Sequence, residues 1–166
     1  MTPAASGDAN KSARAKNLLI AGGGTGGHVF PAVAVAREWL RREAEGVRGV
    51  VIVGTERGME AKLVPQAGLP LETIRVAGLK GIGGMQFLRN AALLPAGLWD
   101  SEKIVQRHRF GVAFGVGGYA SGPMILAARL HGIPSVIFEP NVEPGFTNRV
   151  LAGMATRVAC GFAETA

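Results

Sequence analysis

Two stretches of this chain, residues 17–40 and 112–131, share one plan: an apolar run, a glycine-rich turn, then a helix-like segment. The run Asn17–Ala21 reads NLLIA, apolar on both of its alternating faces. Such a strand buries both faces only inside a parallel sheet covered by helices on two sides. Further short runs at Gly49–Val53, Leu71–Val76, Val112–Val116, Ser135–Phe138 and Arg157–Cys160 complete a strand set separated by helix-like stretches. That alternation predicts an α/β fold: a Rossmann-like parallel sheet with helices on both faces. The first helix is expected from Pro31, where a first-turn proline is tolerated. Its apolar face would be Ala32, Val35, Ala36, Trp39 and Leu40.

Composition narrows the choice further. With 166 residues, 48% hydrophobic and 18% charged, the chain can bury one sizeable core and is not disordered over most of its length. Its 25 glycines follow no collagen-like period, which leaves functional turns as their reason. Met1–Lys16 is polar and Ala/Ser-rich and reads as a disordered tail, so the expected domain is 17–166. The sequence stops soon after an apolar strand, with no closing helix, which reads as a cut between domains. The uncharged window 110–128 is long enough for a bilayer, but its glycines and Pro123 fit strand, turn and helix better. A lone Cys160 makes neither an internal disulfide nor a cysteine zinc site and fits a reducing compartment.

The net charge of +6 favours an anionic partner. The basic residues are scattered, without a Lys/Arg block or zinc-finger spacing, so no nucleic-acid partner is expected. No DxD and no His/Cys ligand spacing is present, and neither a metal nor another cofactor is expected.

The first turn, Gly22-Gly23-Gly24-Thr25-Gly26-Gly27-His28, fits G-x-G-x-x-G through Gly22, Gly24 and Gly27. Glycines let backbone N–H groups approach a phosphate at a helix N-terminus. A dinucleotide site would also need an acidic residue closing the second strand, where this chain reads Val53-Gly54-Thr55. The second turn, Gly115-Val116-Gly117-Gly118-Tyr119-Ala120-Ser121-Gly122-Pro123, has Ser121 as expected N-cap and Pro123 in the first turn. Two such turns at one sheet edge can grip a pyrophosphate from both sides. A third element, Phe138 to Arg149, puts Glu139 and Asn141 at a strand's carboxyl end and Asn148 on the next helix.

Three blocks, GGTGGHVFPAVAVA (Gly23–Ala36), GVGGYASGP (Gly115–Pro123) and EPNVEPGFTNR (Glu139–Arg149), resemble the signature blocks of the MurG family. The resemblance runs from about Asn17 to Ala166. It implies the N-terminal, acceptor-binding half of a two-domain GT-B glycosyltransferase, with the C-terminal donor domain absent. Members move GlcNAc from UDP-GlcNAc to lipid I (undecaprenyl-pyrophosphoryl-MurNAc-pentapeptide), forming lipid II. UDP-GlcNAc would be held mostly by the missing domain, and the chain alone would lack turnover. An alternative is a non-catalytic, membrane-recruiting subunit of a split glycosyltransferase. The family reads His-Glu-Gln-Asn where this chain has Phe138-Glu139-Pro140-Asn141, so one polar contact is lost and proline fixes a backbone angle.

Residue by residue, the resemblance carries over Thr25, Gly26, Gly27, Gly117, Gly118, Tyr119, Ser121, Asn141 and Asn148 as substrate-binding positions. Transfer to a hydroxyl needs a base. His28 is the candidate, since an imidazole exchanges protons near neutral pH. Glu139 is its rival or the group that orients it. The segment 79–109 adds Leu79, Ile82, Met85, Leu88 and Trp99 in the company of Lys80 and Arg89, the composition of an interfacial docking patch. Phe87, Ala91, Leu94 and Leu98 share its other helical face and are expected in the core, with a break near Pro95 and Gly97. Together these imply a peripheral protein on the anionic cytoplasmic face of the bacterial inner membrane.

Overall fold

The computed structural model describes residues 17–42, 49–78 and 83–165. In chain order it contains β1 (Asn17–Ala21), α1 (Gly26–Arg41), β2 (Gly49–Gly54), α2 (Glu60–Gln66) and β3 (Leu71–Thr73). There follow α3 (Gly84–Ala91), α4 (Leu94–His108), β4 (Val112–Gly115), α5 (Ser121–Leu130), β5 (Ser135–Glu139), α6 (Phe146–Ala152) and β6 (Arg157–Cys160). The six strands form one parallel sheet in the order β3-β2-β1-β4-β5-β6. The expected α/β class and doubly covered parallel sheet are therefore what the chain adopts. The expected tail, Met1–Lys16, lies outside the described residues.

Alternation along β1 explains the two layers. Leu19 and Ala21 face a core shared with Ile104 and Val105 of α4, Met124 and Ile125 of α5, and Leu151 of α6. Leu18 and Ile20 face the opposite core, with Val29, Ala32 and Ala36 of α1 and Val64 of α2. Because both faces are apolar, hydrophobic pattern alone does not fix the register of β1. Polar anchors at the strand's start do. Asn17 Oδ1 accepts from Gly49 N–H at 3.0 Å, and Asn17 Nδ2 donates to the His108 carbonyl at 2.8 Å.

Five local expectations are corrected. Helix α1 starts at Gly26, not Pro31; Pro31 lies inside it. The proline lacks only the N–H that would bond the carbonyl of Gly27, which is exposed and can be hydrated. The third strand ends at Thr73 rather than Val76, because Val76 N–H bonds the Ile74 carbonyl in a tight turn. Ala120, not Ser121, holds the N-cap position of α5. The break between α3 and α4 falls before Pro95 and Gly97, which both lie in the first turns of α4. Gly97 has a packing reason to be glycine, since a Cβ there would lie 2.5 Å from Val76 Cγ1. Of the expected core face, Leu98 packs against the core while Leu94 is exposed; the Phe87 side chain lies outside the described residues.

The turns after β1 and β4 press on each other. A Cβ on Gly22 would lie 2.3 Å from Val116 Cγ2, and one on Gly118 would lie 2.2 Å from the Gly23 carbonyl oxygen. Gly118 also has φ +81°. Gly132 has φ +65° with nothing within 4 Å. Left-handed backbone costs a side chain about 1–2 kcal/mol. Gly132→Ala is therefore expected to lose about that much in urea unfolding, and Gly118→Ala about 2–4 kcal/mol because the clash adds to it.

Candidate functional site

A cleft of about 620 Å³ opens over the carboxyl ends of β1, β4 and β5, where the strand order reverses between β1 and β4. Ligands of open α/β sheets bind at such a switch point. Gly23, Gly24, Thr25 and His28 form one wall and Gly117, Gly118 and Tyr119 the facing one. Glu139, Asn141 and Asn148 close the third side. Of the expected site residues, Gly26, Gly27 and Ser121 are outside these walls. Ser121 is buried beneath them, its single hydroxyl proton shared between the carbonyls of Ala21 at 2.7 Å and Gly117 at 2.8 Å. It fastens the β1 turn to the β4 turn.

Backbone donors are left over at both turns. The Thr25 carbonyl accepts from the amides of His28 and Val29, each at 3.1 Å, and the Gly26 and Gly27 amides bond no group among the described residues. This is the usual condition of a helix's first turn, which carries partial positive charge. The Gly118 and Tyr119 amides are likewise without a partner among the described residues.

His28 is half-buried, with a defined orientation. Its Nδ1 is 3.1 Å from the Gly23 carbonyl oxygen and 3.2 Å from Thr25 Oγ1. A carbonyl only accepts, so this contact assigns the proton of the neutral ring to Nδ1. Nε2 then carries the lone pair. It lies against Gly117, where a Cβ would come within 2.9 Å of it.

Glu139 is ringed by hydrogen-bond donors. Its Oε1 accepts from the Asn141 amide at 3.0 Å and from Asn141 Nδ2 at 2.8 Å, and its Oε2 from the Gly145 amide at 2.9 Å and Asn148 Nδ2 at 3.0 Å. Burial raises its pKa, but the donors from Gly145, Asn141 and Asn148 outweigh that and hold the carboxyl below the ordinary 4.5. Pro140 leaves this network complete, and Phe138 spends its side chain on stacking with Phe114. Asn148 Nδ2 also donates to the Phe138 carbonyl at 3.0 Å, while its buried Oδ1 has no partner among the described residues.

One buried acid was not picked out from the sequence. Glu60, at the start of α2, is fully buried beneath the first glycine turn. Its Oε2 accepts from the Gly24 amide at 2.7 Å, and its Oε1 from the amide and hydroxyl of Thr55, both at 2.8 Å. Burial raises its pKa, and the donors from Gly24 and Thr55 bring it below 4.5 on balance. The sequence signal was spread over three glycines. A Cβ on Gly23, Gly54 or Gly58 would lie 2.2, 2.3 or 2.1 Å from a Glu60 side-chain atom.

Beside the cleft, Met85, Leu88 and Trp99 are 75%, 64% and 59% exposed, with Arg89 and Lys103 also exposed. Lys103 Nζ stands 5.3 Å from the Trp99 ring centroid. Leu79, Lys80 and Ile82 of the expected patch lie outside the described residues. Leu94 belongs both to the cleft wall and to this apolar surface. Among the described residues no helix is long and apolar enough to cross a membrane.

The model of the glycosyltransferase family 28 N-terminal domain matches residues 18–160. The chain belongs to this family. This family 28 domain is 52% identical over 141 residues, covering 85% of it and 37% of the relative, to a curated protein of Pelobacter propionicus. That relative is named UDP-N-acetylglucosamine–N-acetylmuramyl-(pentapeptide) pyrophosphoryl-undecaprenol N-acetylglucosamine transferase. A protein of the same name from Anaeromyxobacter is 51% identical over 149 residues, 90% of the chain and 39% of the relative. The domain thus spans about two-fifths of the length of the curated relatives it matches. Among solved structures it superimposes on MurG of Acinetobacter baumannii with a TM-score of 0.79 at 34% identity, over 91% of this chain and 43% of that one. The likeness is that of the N-terminal domain of a GT-B fold.

Both buried carboxyls titrate lower folded than unfolded. Their contribution is complete above the unfolded value near 4.5 and is lost as pH falls through the lower folded values. Thermal unfolding of the family 28 domain should be nearly flat in pH from about 6 to 8 and fall steeply below about 4.5. Glu139→Gln should shrink the acid-side loss.

Proposed function

We propose that this domain is the acceptor-binding half of a GlcNAc transferase that glycosylates a lipid-linked pyrophosphoryl-MurNAc-pentapeptide, as the names of its relatives state for them. The observation that carries this reading is the convergence of both glycine turns and His28 Nε2 on one cleft. The acceptor's pyrophosphate lies between the turns, facing the unpartnered amides of Gly118 and Tyr119 and the positive end of α1. Thr25 and the Tyr119 hydroxyl add side-chain contacts, and Asn141 lines the side toward the sugar, with Asn148 behind it. UDP-GlcNAc is held mainly by the part of the relatives' length that this chain does not span.

In the transfer step, His28 Nε2 accepts the proton of the acceptor hydroxyl as that oxygen attacks C1 of GlcNAc. The bond from C1 to the UDP oxygen breaks with its electron pair, and UDP leaves. Glu139 is a positioning residue in this scheme. With four donors on its two oxygens, it fixes the third loop rather than moving protons.

Titrating 15N-labelled chain with a short-chain lipid I analogue is expected to shift the amides of residues 24–28 and 117–121, with UDP-GlcNAc doing little. If neither ligand moves them, the acceptor reading fails. In the complete enzyme, His28→Ala should lower kcat by about 10²–10⁴ with little change in the acceptor KM, the size of a general-base contribution.

The apolar surface at Met85, Leu88 and Trp99, with Arg89 and Lys103 beside it, is the proposed membrane contact on the cytoplasmic face. Changing all three apolar residues to Ser should cut co-sedimentation with vesicles containing phosphatidylglycerol at least about tenfold, since each buried side chain of this kind contributes about 1.5–3 kcal/mol at most. Unchanged sedimentation would assign the patch to a protein contact instead.

A further inference from the structure

Glu60 is a buried ionised group that the transfer step above leaves without a task. Burying a carboxylate is costly unless donors surround it. Here Gly23, Gly54 and Gly58 all lack the Cβ that would occupy its space. A carboxylate beneath a turn that receives a pyrophosphate also repels that ligand. An apolar side chain would avoid both costs but would leave the amides of Gly24 and Thr55 unpaired, and those bonds place the charge on one particular peptide group.

The amide linking Gly23 to Gly24 gives its N–H to Glu60 Oε2 at 2.7 Å. The carbonyl of the same amide faces His28 Nδ1 at 3.1 Å. Hydrogen bonds at the two ends of a peptide group polarise it cooperatively, and a charged acceptor on the N–H makes its oxygen a stronger acceptor. We propose that Glu60 is a positioning residue for His28, acting through the Gly23–Gly24 peptide. It holds the imidazole proton on Nδ1, keeps the Nε2 lone pair toward the cleft, and stabilises the imidazolium once Nε2 takes a proton. In a Ser-His-Asp triad the carboxylate touches the imidazole directly; here a backbone amide stands between them. Gly118 closes on the same carbonyl oxygen, where a Cβ would lie 2.2 Å away, so the peptide cannot flip out of line while the second turn is seated. The inference rests on His28 being the base.

The test reads the ring nitrogens of His28 in this chain by two-bond 1H–15N correlation, with the pH raised until the pattern is that of the neutral ring. The expected signature is Nδ1–H. In Glu60→Gln an amide NH2 must face either Gly24 N–H or Thr55, and the signature should move toward Nε2–H. Thr55→Val removes one donor to Oε1 but leaves the Gly24 link, and should keep Nδ1–H. An Nε2–H ring in the unmodified chain, or a folded Glu60→Gln chain that keeps Nδ1–H, overturns the proposal. Should Glu60→Gln not fold, the unmodified chain still decides. The Gly24 amide resonance must follow the His28 titration, and a Gly24 amide indifferent to it ends the proposal. The base reading fails separately. If His28→Gln in the complete enzyme retains transfer while the tautomer still answers to Glu60, the relay stands and the base is another group.

Discussion

The contact of the Gly23 carbonyl with Gly118 is the constraint on which the site depends. It places two strand-to-helix turns back to back at the point where the sheet reverses its winding. Neither turn could approach so closely with a side chain, since Gly22 already touches Val116 and Gly117 touches His28. The pairing of Ala21 with Gly115 in the sheet brings the turns to the same height. Ser121, reaching back across the seam to the Ala21 carbonyl, then ties them. Packing density in the two core layers makes this seam stiff, and a stiff seam can present backbone amides at fixed positions.

A domain of net charge +6 with an expected anionic ligand nevertheless keeps two carboxylates, Glu60 and Glu139, under the loops that form its cleft. Both are turned inward and saturated with donors, so neither presents a bare charge to the cleft. Each gathers amides that would otherwise be unpaired in a tight loop, and so fixes where the remaining amides point. In the proposed reading, attraction for an anion would come from what is left outside: helix termini at short range and scattered arginines at long range.

The strand set and the helix layers were legible because burial on two faces leaves a continuous apolar run, and each of the six runs formed a strand. The glycine turns were legible as turns. What misled was local chemistry that tertiary contacts override. Pro31 marks a helix start in isolation, yet the turn before it is long enough in Gly26 to Phe30 to form a first helical turn ahead of the proline. Ser121 is a good N-cap in isolation, but a carbonyl from a neighbouring strand claimed its hydroxyl. Glu60 carried only a weak local signal in Gly54 and Gly58, because the Gly24 amide comes from the turn after β1 and meets it only when the sheet forms. Glu139 was visible at the strand end, but its four donors were not, because they come from the loop and helix that follow and meet it only in the fold.

The cleft and the exposed apolar surface are joined by more than proximity. Leu94 is part of both. Gly78 gives Tyr119 its seat, since a Cβ there would lie 2.5 Å from the phenol, and its carbonyl accepts from Asn90 Nδ2 on α3. Arg75, close by in sequence, is paired with Asp100 on α4 through its guanidinium and its own amide. The segment after β3 is therefore clamped between the second glycine turn and the two helices that carry Met85, Leu88 and Trp99. A ligand with an apolar tail and an anionic head meets matching chemistry on both sides of Leu94. In the proposed reading, rigid coupling between the two sides would set the depth at which such a head group reaches the amides of Gly118 and Tyr119. That depth follows from side-chain packing around Gly78 and Gly97, two positions where the chain has no room for a Cβ.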